Sequence, residues 1–258
     1  MNLRKTIKDV NLYYRYASRR IGLPGFRIHQ VRLLRERLIY IPVPKNACSS
    51  TKEALHEIEF GRRFDKDRDI NAPYINIHDY YKKRPKAFTG LKRIASEKEF
   101  TRFAVVRDPV RRLVSCYRNR VVDLGDLSIN PKSLEKYGLD KTPDINTFVL
   151  NLKMYQKANK SIEHHSRPQG AFFGGTLDYL DKIFTMDELD KLQDFLKTYR
   201  PSLRFLSQKS GGTSYSVSDL SDEALKYAIN FYRQDYRLLA RYYQADSHLN
   251  RQQARPKF

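Results

Sequence analysis

Short apolar, β-branched runs alternate along the chain with segments whose apolar residues recur at helical spacing. LIYIPV at 38–43 and RFAVV at 102–106 predict buried strands, and each run leads into a helical pattern. The helix after the second strand carries a buried stripe at positions i, i+3, i+4 and i+7, namely Val110, Leu113, Val114 and Tyr117. This alternation predicts an α/β fold with a central, mainly parallel sheet flanked by helices.

The second half of the chain predicts further elements. A helix is expected to begin at Thr142 after an irregular connection, and EHHSRPQGAFFGG at 163–175 predicts a loop. A short strand in KIFT then leads to Thr185 and Glu188 as a capping box. One last long helix is expected from about Ser221, because its apolar residues keep helical spacing.

Charge divides the chain into three segments. Residues 1–36 hold nine lysines and arginines against two acidic residues, and predict a basic N-terminal arm. Residues 37–245 form the predicted α/β domain, and 246–258 a basic C-terminal tail. The arm fits either a solvated helix packed on the domain or a helix on an anionic membrane surface.

Composition narrows the partners but does not choose one. With 258 residues, 49 Lys+Arg and 29 Asp+Glu, the chain carries a formal net charge of +20, which predicts anionic partners. Nucleic acid, an anionic membrane, a phosphorylated small molecule and an acidic glycan all fit. The two cysteines, Cys48 and Cys116, argue against a disulfide scaffold or a zinc site. MNLRKTIKDV lacks a secretory apolar core, so a cytoplasmic protein, peripheral at the inner face of a membrane at most, is expected.

The segment PKNACSST at 44–51 has the chemistry of an anion-binding loop. A lysine leaves the strand, small residues let backbone amides approach an anion, and hydroxyls enter a helix N-terminus. The candidate anion ligands are Lys45, Asn46, Ala47, Cys48, Ser49, Ser50 and Thr51. Two alternatives stay open: an ordinary capping box of Ser50 with Glu53, and the loop of a P-loop kinase. The kinase interpretation is less favoured, because a P-loop needs glycines around the phosphates and residues 38–52 contain none.

The segment RDPVRRLVSCYRNR at 107–120 predicts a second anion site. Asp108 and Pro109 suit the N-cap and first position of a helix, with Arg107 at the strand end and Ser115 two turns later. An arginine fork and a hydroxyl can hold one phosphate together. The alternative is a basic, solvated helix capped by Asp108.

Together these segments resemble the 5′-phosphosulfate loop and the 3′-phosphate segment of carbohydrate sulfotransferases. The resemblance is to the membrane-associated Golgi type and their bacterial relatives, sulfotransferase family 2, in which R-D-P-x-x-R-L-V-S-x-Y-R recurs. HSRPQ at 165–169 and YRQDYRLLARYY at 232–243 are weaker matches, and Ser166 departs from the family's usual aromatic residue. The resemblance implies a three-layer P-loop NTPase-like fold, 3′-phosphoadenosine-5′-phosphosulfate (PAPS) as sulfuryl donor, a carbohydrate hydroxyl as acceptor and no required metal. A basic nucleic-acid-binding protein remains the alternative from another class.

The sequence offers several candidates for the chemical step. Lys45 is expected to meet the charge that develops on the leaving phosphate. A histidine should accept the proton of the acceptor hydroxyl. His78, which lies in the stretch where relatives that modify uronic acid carry their base, and His165 are the candidates. Glu163, His164 or no side-chain base stay open.

The acceptor side is less defined by the sequence. Arg167 and Gln169 are candidate substrate contacts, although Pro168 between them makes a rigid loop an equal interpretation. The loop at 209–212 is a weak candidate for a cover over the adenosine end of the donor.

Overall fold

The computed structural model describes residues 27–65, 76–129, 131–205 and 214–248. The described residues fall into two compact units, one within residues 1–106 and 170–209 and the other within 107–169 and 210–258. Most of the predicted arm and tail, and the loop at 209–212, lie outside the described residues.

The strands and helices follow one another along the chain. The strands are β1 (Ile28–His29), β2 (Val31–Leu33), β3 (Leu38–Ile41), β4 (Phe88–Thr89), β5 (Thr101–Val106) and β6 (Lys182–Thr185). The α-helices are α1 (Cys48–Phe60), α2 (Ile77–Lys83), α3 (Leu91–Ser96), α4 (Pro109–Cys116), α5 (Pro131–Glu135), α6 (Ile145–Leu150), α7 (Leu152–Ala158), α8 (Lys160–Ser166), α9 (Gly170–Phe173), α10 (Leu189–Lys197), α11 (Asp222–Phe231) and α12 (Arg233–Leu238). A π-helix spans Tyr117–Asp123, and short 3₁₀ helices span Asp126–Ser128, Met186–Glu188 and Val217–Asp219.

The first unit is built on a four-stranded sheet in the order β2-β3-β5-β6. The β3–β5 and β5–β6 pairs are parallel, which confirms the predicted mostly parallel sheet. The antiparallel strand β2 comes from residues assigned by charge to the arm. It was missed because only Val31 and Leu33 turn inward, on either side of Arg32.

Helices α1 and α10 supply apolar residues to the core on the sheet of the first unit. Leu55 and Ile58 of α1 and Leu192 and Leu196 of α10 join a cluster around the strand residue Phe103. The inward positions of the strands and the helical stripes were both readable from the hydrophobic pattern. Thr185 and Glu188 form the predicted capping box before α10.

The second unit is helical and is centred on α4. The stripe of Val110, Leu113, Val114 and Tyr117 is buried in its core, and the Asp108 carboxylate accepts a hydrogen bond from the Arg111 amide, as predicted. Beyond α4 the helix widens into the π-helix, so the connection after residue 121 is less irregular than predicted. π-helical turns are frequent at functional sites.

Three boundaries in the second unit differ from prediction. The helix expected from Thr142 begins at Ile145, because Asp144 caps it by accepting from the amides of residues 146 and 147. The loop predicted at 163–175 is wrong over most of its length. Residues 163–166 belong to α8, which Asn159 caps, and residues 170–173 form the one-turn helix α9. The last helix is interrupted at Tyr232, whose ψ of 16° ends α11 before α12 begins.

Candidate anion-binding and catalytic sites

The loop between β3 and α1 has a strained backbone. Lys45 (φ 69°) and Ala47 (φ 52°) both lie in the left-handed region although neither is glycine. Each such residue costs on the order of 1–3 kcal/mol and persists where its surroundings hold it. Here the buried Asn46 side chain donates to the Val105 carbonyl at 2.9 Å, and the Asn46 amide donates to the Val43 carbonyl at 3.3 Å. The Asn46 side chain therefore anchors the loop to the neighbouring strand.

The helix that follows begins without a side-chain cap. Ala47 stands at the N-cap position and its methyl group cannot accept a hydrogen bond from the first amides of α1. The capping box of Ser50 with Glu53 is therefore wrong, because Ser50 lies inside the helix. The Thr51 hydroxyl donates to the Ala47 carbonyl at 2.9 Å. Cys48, Ser49 and Ser50 thus present a helix N-terminus, which favours an anion.

One face of α1 joins the anion loop to α2. Ser49, Lys52 and His56 occupy positions i, i+3 and i+7 and lie on this face. His56 is buried among the rings of Phe60, Phe64 and Tyr80, so it packs as part of the core. Lys52, one turn before His56, is only 2% exposed.

His78 reaches this face from the start of α2. The Asn76 carboxamide caps α2 by accepting from the amides of His78 and Asp79. His78 Nε2 lies 2.9 Å from Ser49 Oγ, and its Nδ1 lies 3.3 Å from Lys52 Nζ. The structure thus brings together Ser49 and His78, which are 29 residues apart and were both predicted site residues.

The ionisation of this cluster follows from its burial and its positive charge. Burial, followed by the charges of Lys52 and Lys82, lowers the pKa of His78 to about 4. Lys45 adds to this repulsion, so its charge reaches the imidazole. Burial likewise lowers the pKa of Lys52 to about 8. His78 is therefore a neutral imidazole near pH 7, the form that a general base requires.

In the second unit, Arg107 is held through its backbone. The buried Gln169 carboxamide accepts from the Arg107 amide at 3.2 Å and donates to the Arg107 carbonyl at 2.7 Å. Burial and the neighbouring Arg112 lower the pKa of Arg107 to about 10, so the guanidinium stays charged near pH 7. Ser115 lies two turns along α4 and is half-buried.

Asp108 ties the start of α4 to the end of the described chain. Its carboxylate Oδ2 accepts from the Tyr236 hydroxyl at 3.1 Å and lies 2.9 Å from His248 Nε2. All three side chains are buried. Arg107 is thereby followed directly by a residue that is fixed in the second unit.

The HSRPQ segment is fixed by Arg112, which is fully buried. The Arg112 guanidinium donates to the carbonyls of Arg167 and His165 at the end of α8, at 2.8 and 3.0 Å. His165 Nδ1 donates to the Ser161 carbonyl at 2.8 Å, which leaves Nε2 as the basic nitrogen of the neutral ring. Arg167 Nη1 lies 3.9 Å from Glu163 Oε1, and both side chains are half-buried.

Comparison with known proteins places the chain in a class. The model of the sulfotransferase family matches residues 31–243, and the chain belongs to that family. Searches of curated proteins and of solved structures found no match.

Two structural searches of the described residues were negative. No helix in the described part of the chain is long and apolar enough to cross a membrane. The same residues contain no group of three or more His, Cys, Asp and Glu side chains that could hold a metal ion.

Lys52 and Arg112 are the residues that sequence reasoning missed. Lys52 resembles a solvent-facing lysine in TKEALHEIEF, and only its i+3 spacing from Ser49 could have marked it. Arg112 was one of several arginines in a basic helix. The burial of Lys52 depends on the position of His78, and the burial of Arg112 depends on the position of the end of α8. The local sequence therefore predicts neither.

Proposed function

We propose that this chain transfers a sulfuryl group from PAPS to a carbohydrate hydroxyl by in-line displacement. The observation that carries the proposal is the contact between His78 and Ser49 at the start of α1. It joins a candidate general base to a loop suited to an anionic donor. Family membership supports sulfuryl transfer, and the family resemblance supports PAPS and a sugar acceptor.

The loop residues are suited to the phosphosulfate end of the donor. Sulfuryl transfer, like phosphoryl transfer, needs the attacking oxygen, sulfur and leaving oxygen roughly in line. Lys45 and the first amides of α1 would neutralise the charge that grows on the leaving phosphate. The left-handed backbone at Lys45 and Ala47 presets this arrangement before the donor binds.

Arg107 and Ser115 are suited to the 3′-phosphate. The Arg107 guanidinium stays charged, and Gln169 holds the Arg107 backbone. Binding therefore costs little conformational entropy at this residue. Gln169 thereby supports the donor side through Arg107. Arg167 remains a candidate contact for an anionic acceptor.

The acceptor proton must leave as the new bond forms. His78 is neutral near pH 7, and the anionic donor would raise its basicity by offsetting the charges of Lys45, Lys52 and Lys82. His165, with its Nδ1 committed to Ser161, is the second candidate base.

The net charge of +20 favours a polyanionic acceptor such as a uronate-containing glycan. The basic N-terminal segment would add attraction to an anionic membrane surface. A cytoplasmic location is part of the same proposal.

Isothermal calorimetry with adenosine 3′,5′-bisphosphate, ATP and a single-stranded oligonucleotide tests the donor class. We expect the bisphosphate to bind at a single site, and Arg107→Ala and Ser115→Ala to weaken it by about 1.5–3 kcal/mol each. Arg237→Ala, which removes an equal charge from an exposed position of the same unit, should bind as the parent does. Preference for ATP would support a kinase, and binding only to the oligonucleotide a nucleic-acid-binding protein.

The acceptor class needs a separate experiment. Incubation with PAPS labelled on sulfur and a panel of neutral and uronate-containing polysaccharides should label the anionic members. Label transfer to phenols or to protein alone would remove the carbohydrate from the proposal.

A further inference from the structure

Lys52 is buried in the first unit in a way that an ordinary helical lysine is not. Only 2% of it is exposed, and its ammonium nitrogen lies 3.3 Å from His78 Nδ1. Among the described residues, no carboxylate oxygen lies within 4.0 Å of that nitrogen. A buried lysine without an acidic partner gains little from its charge, so its uncharged form becomes accessible.

The contact between Lys52 and His78 works in both protonation states. A charged lysine donates to Nδ1, which places the imidazole proton on Nε2, facing Ser49. An uncharged lysine accepts from Nδ1–H, which leaves Nε2 with its lone pair. The Ser49 hydroxyl can accept in the first state and donate in the second.

These two states differ in whether His78 Nε2 carries a free lone pair, which a general base needs. Only the state with uncharged Lys52 leaves His78 Nε2 able to take a proton. We propose that Lys52 is the terminal proton acceptor of a relay that runs from the acceptor hydroxyl through His78. The inference rests on the proposed sulfuryl transfer and adds a residue to its chemical step.

The relay balances in atoms and charge. The acceptor oxygen bonds to sulfur while its proton passes to His78 Nε2. The bond from sulfur to the donor's phosphate oxygen breaks, and the leaving bisphosphate keeps the electron pair. His78 passes its Nδ1 proton to the Lys52 amine, which becomes an ammonium. Between turnovers the ammonium returns its proton to solvent and His78 returns to the Nδ1–H tautomer.

The surroundings of the pair favour proton transfer from His78 to Lys52. The charged and titratable groups that act on the pair are Lys45, Cys48, Asp79 and Lys82. Burial, together with Lys82, brings the pKa of Lys52 to about 8, within reach of neutral pH. His78, which burial and these lysines hold neutral, conducts the proton and does not retain it.

Ring-nitrogen NMR of the full chain tests the relay without any substrate. Nitrogen-15 shifts of histidine distinguish the two neutral tautomers, and the spectrum of His78→Ala identifies the signals. In the parent we expect the Nε2–H tautomer at pH 6 to give way to Nδ1–H by about pH 10, through the Lys52 ionisation. A single tautomer over that range would overturn the proposal.

Two substitutions at Lys52 sharpen the test. Lys52→Arg keeps a permanent charge and should hold His78 as Nε2–H at every pH, while Lys52→Met should abolish the switch. Lys82→Met, which removes a nearby exposed charge, should retain the switch with its midpoint at higher pH, because Lys82 helps to lower the pKa of Lys52, and it serves as the control. A switch that survives in Lys52→Met would also overturn the proposal.

Kinetics then separates this inference from the proposed function. In the parent, kcat should rise with pH through the Lys52 ionisation, and Lys52→Arg should lose that limb and about 10²-fold of kcat. Absence of turnover and of bisphosphate binding would refute the proposed function. Turnover with an unchanged pH limb in Lys52→Met would refute the relay alone.

Discussion

Replacing Gln169 distinguishes a substrate contact from a backbone support. The sequence marks Gln169 as a substrate contact, whereas the structure directs its carboxamide to the backbone of Arg107. Gln169→Leu removes both hydrogen bonds at nearly constant volume, so the loss is polar and leaves little cavity.

The magnitude follows from the two bonds. Gln169 is fully buried, and its bonds to Arg107 measure 3.2 and 2.7 Å. A net hydrogen bond is worth roughly 1 kcal/mol, and a buried group that loses its partner costs about 1–3 kcal/mol. We therefore expect the free energy of unfolding to fall by about 2–4 kcal/mol. A looser Arg107 should also weaken adenosine 3′,5′-bisphosphate binding about tenfold, equal to about 1.4 kcal/mol.

Denaturant titration and calorimetry measure the two effects. Gln156→Leu is the matched control, because Gln156 is buried in the same unit and makes one bond of 2.9 Å to Ser166 Oγ. It should cost about 1 kcal/mol of stability and leave nucleotide affinity unchanged. A Gln169→Leu variant as stable as the parent, with only the KM for the acceptor raised, would refute the reasoning and restore the substrate contact.

Three further changes test the chemistry. Lys45→Ala should lower kcat strongly and change bisphosphate affinity less, because the charge it meets grows toward the transition state; an unchanged kcat at saturating acceptor would remove it. His78→Ala should cost about 10²- to 10⁴-fold in kcat with donor binding intact, and a larger loss in His165→Ala would reassign the base. Lys52 has a folded pKa of about 8 against an ordinary 10.5, so the unfolded chain binds more protons between these values. Stability should therefore rise with pH across that window in the parent, and not in Lys52→Met; an identical slope would show that Lys52 is not buried in solution.

The sequence was sufficient for the elements whose signals are local. β3, β5 and the stripe of α4 follow from apolar spacing, and Asp108 and Thr185 act as caps because their side chains reach amides within one turn. The start of α8 was missed because its cap, Asn159, lies before the polar run that looked like a loop.

The sequence indicates candidate residues of the site but not the contacts between them. PKNACSST shows a lysine and hydroxyls, but the left-handed backbone at Lys45 depends on the anchor between Asn46 and a strand some 60 residues later. The burial of Lys52 likewise depends on α2, whose position no local pattern specifies. Contacts between residues distant in sequence are set by packing, and periodicity does not report packing.

The features that make the first unit suitable for an anion also lower its stability without one. Two non-glycine residues are held in the left-handed region, a helix begins without a side-chain cap, and a lysine is buried beside a neutral imidazole. Each of these costs free energy in the free protein, and negative charge at the loop would offset the cost of the last two. A glycine at position 47 would adopt the same left-handed backbone at lower cost. The uncapped helix start and the buried lysine therefore support the anionic donor proposed for this loop.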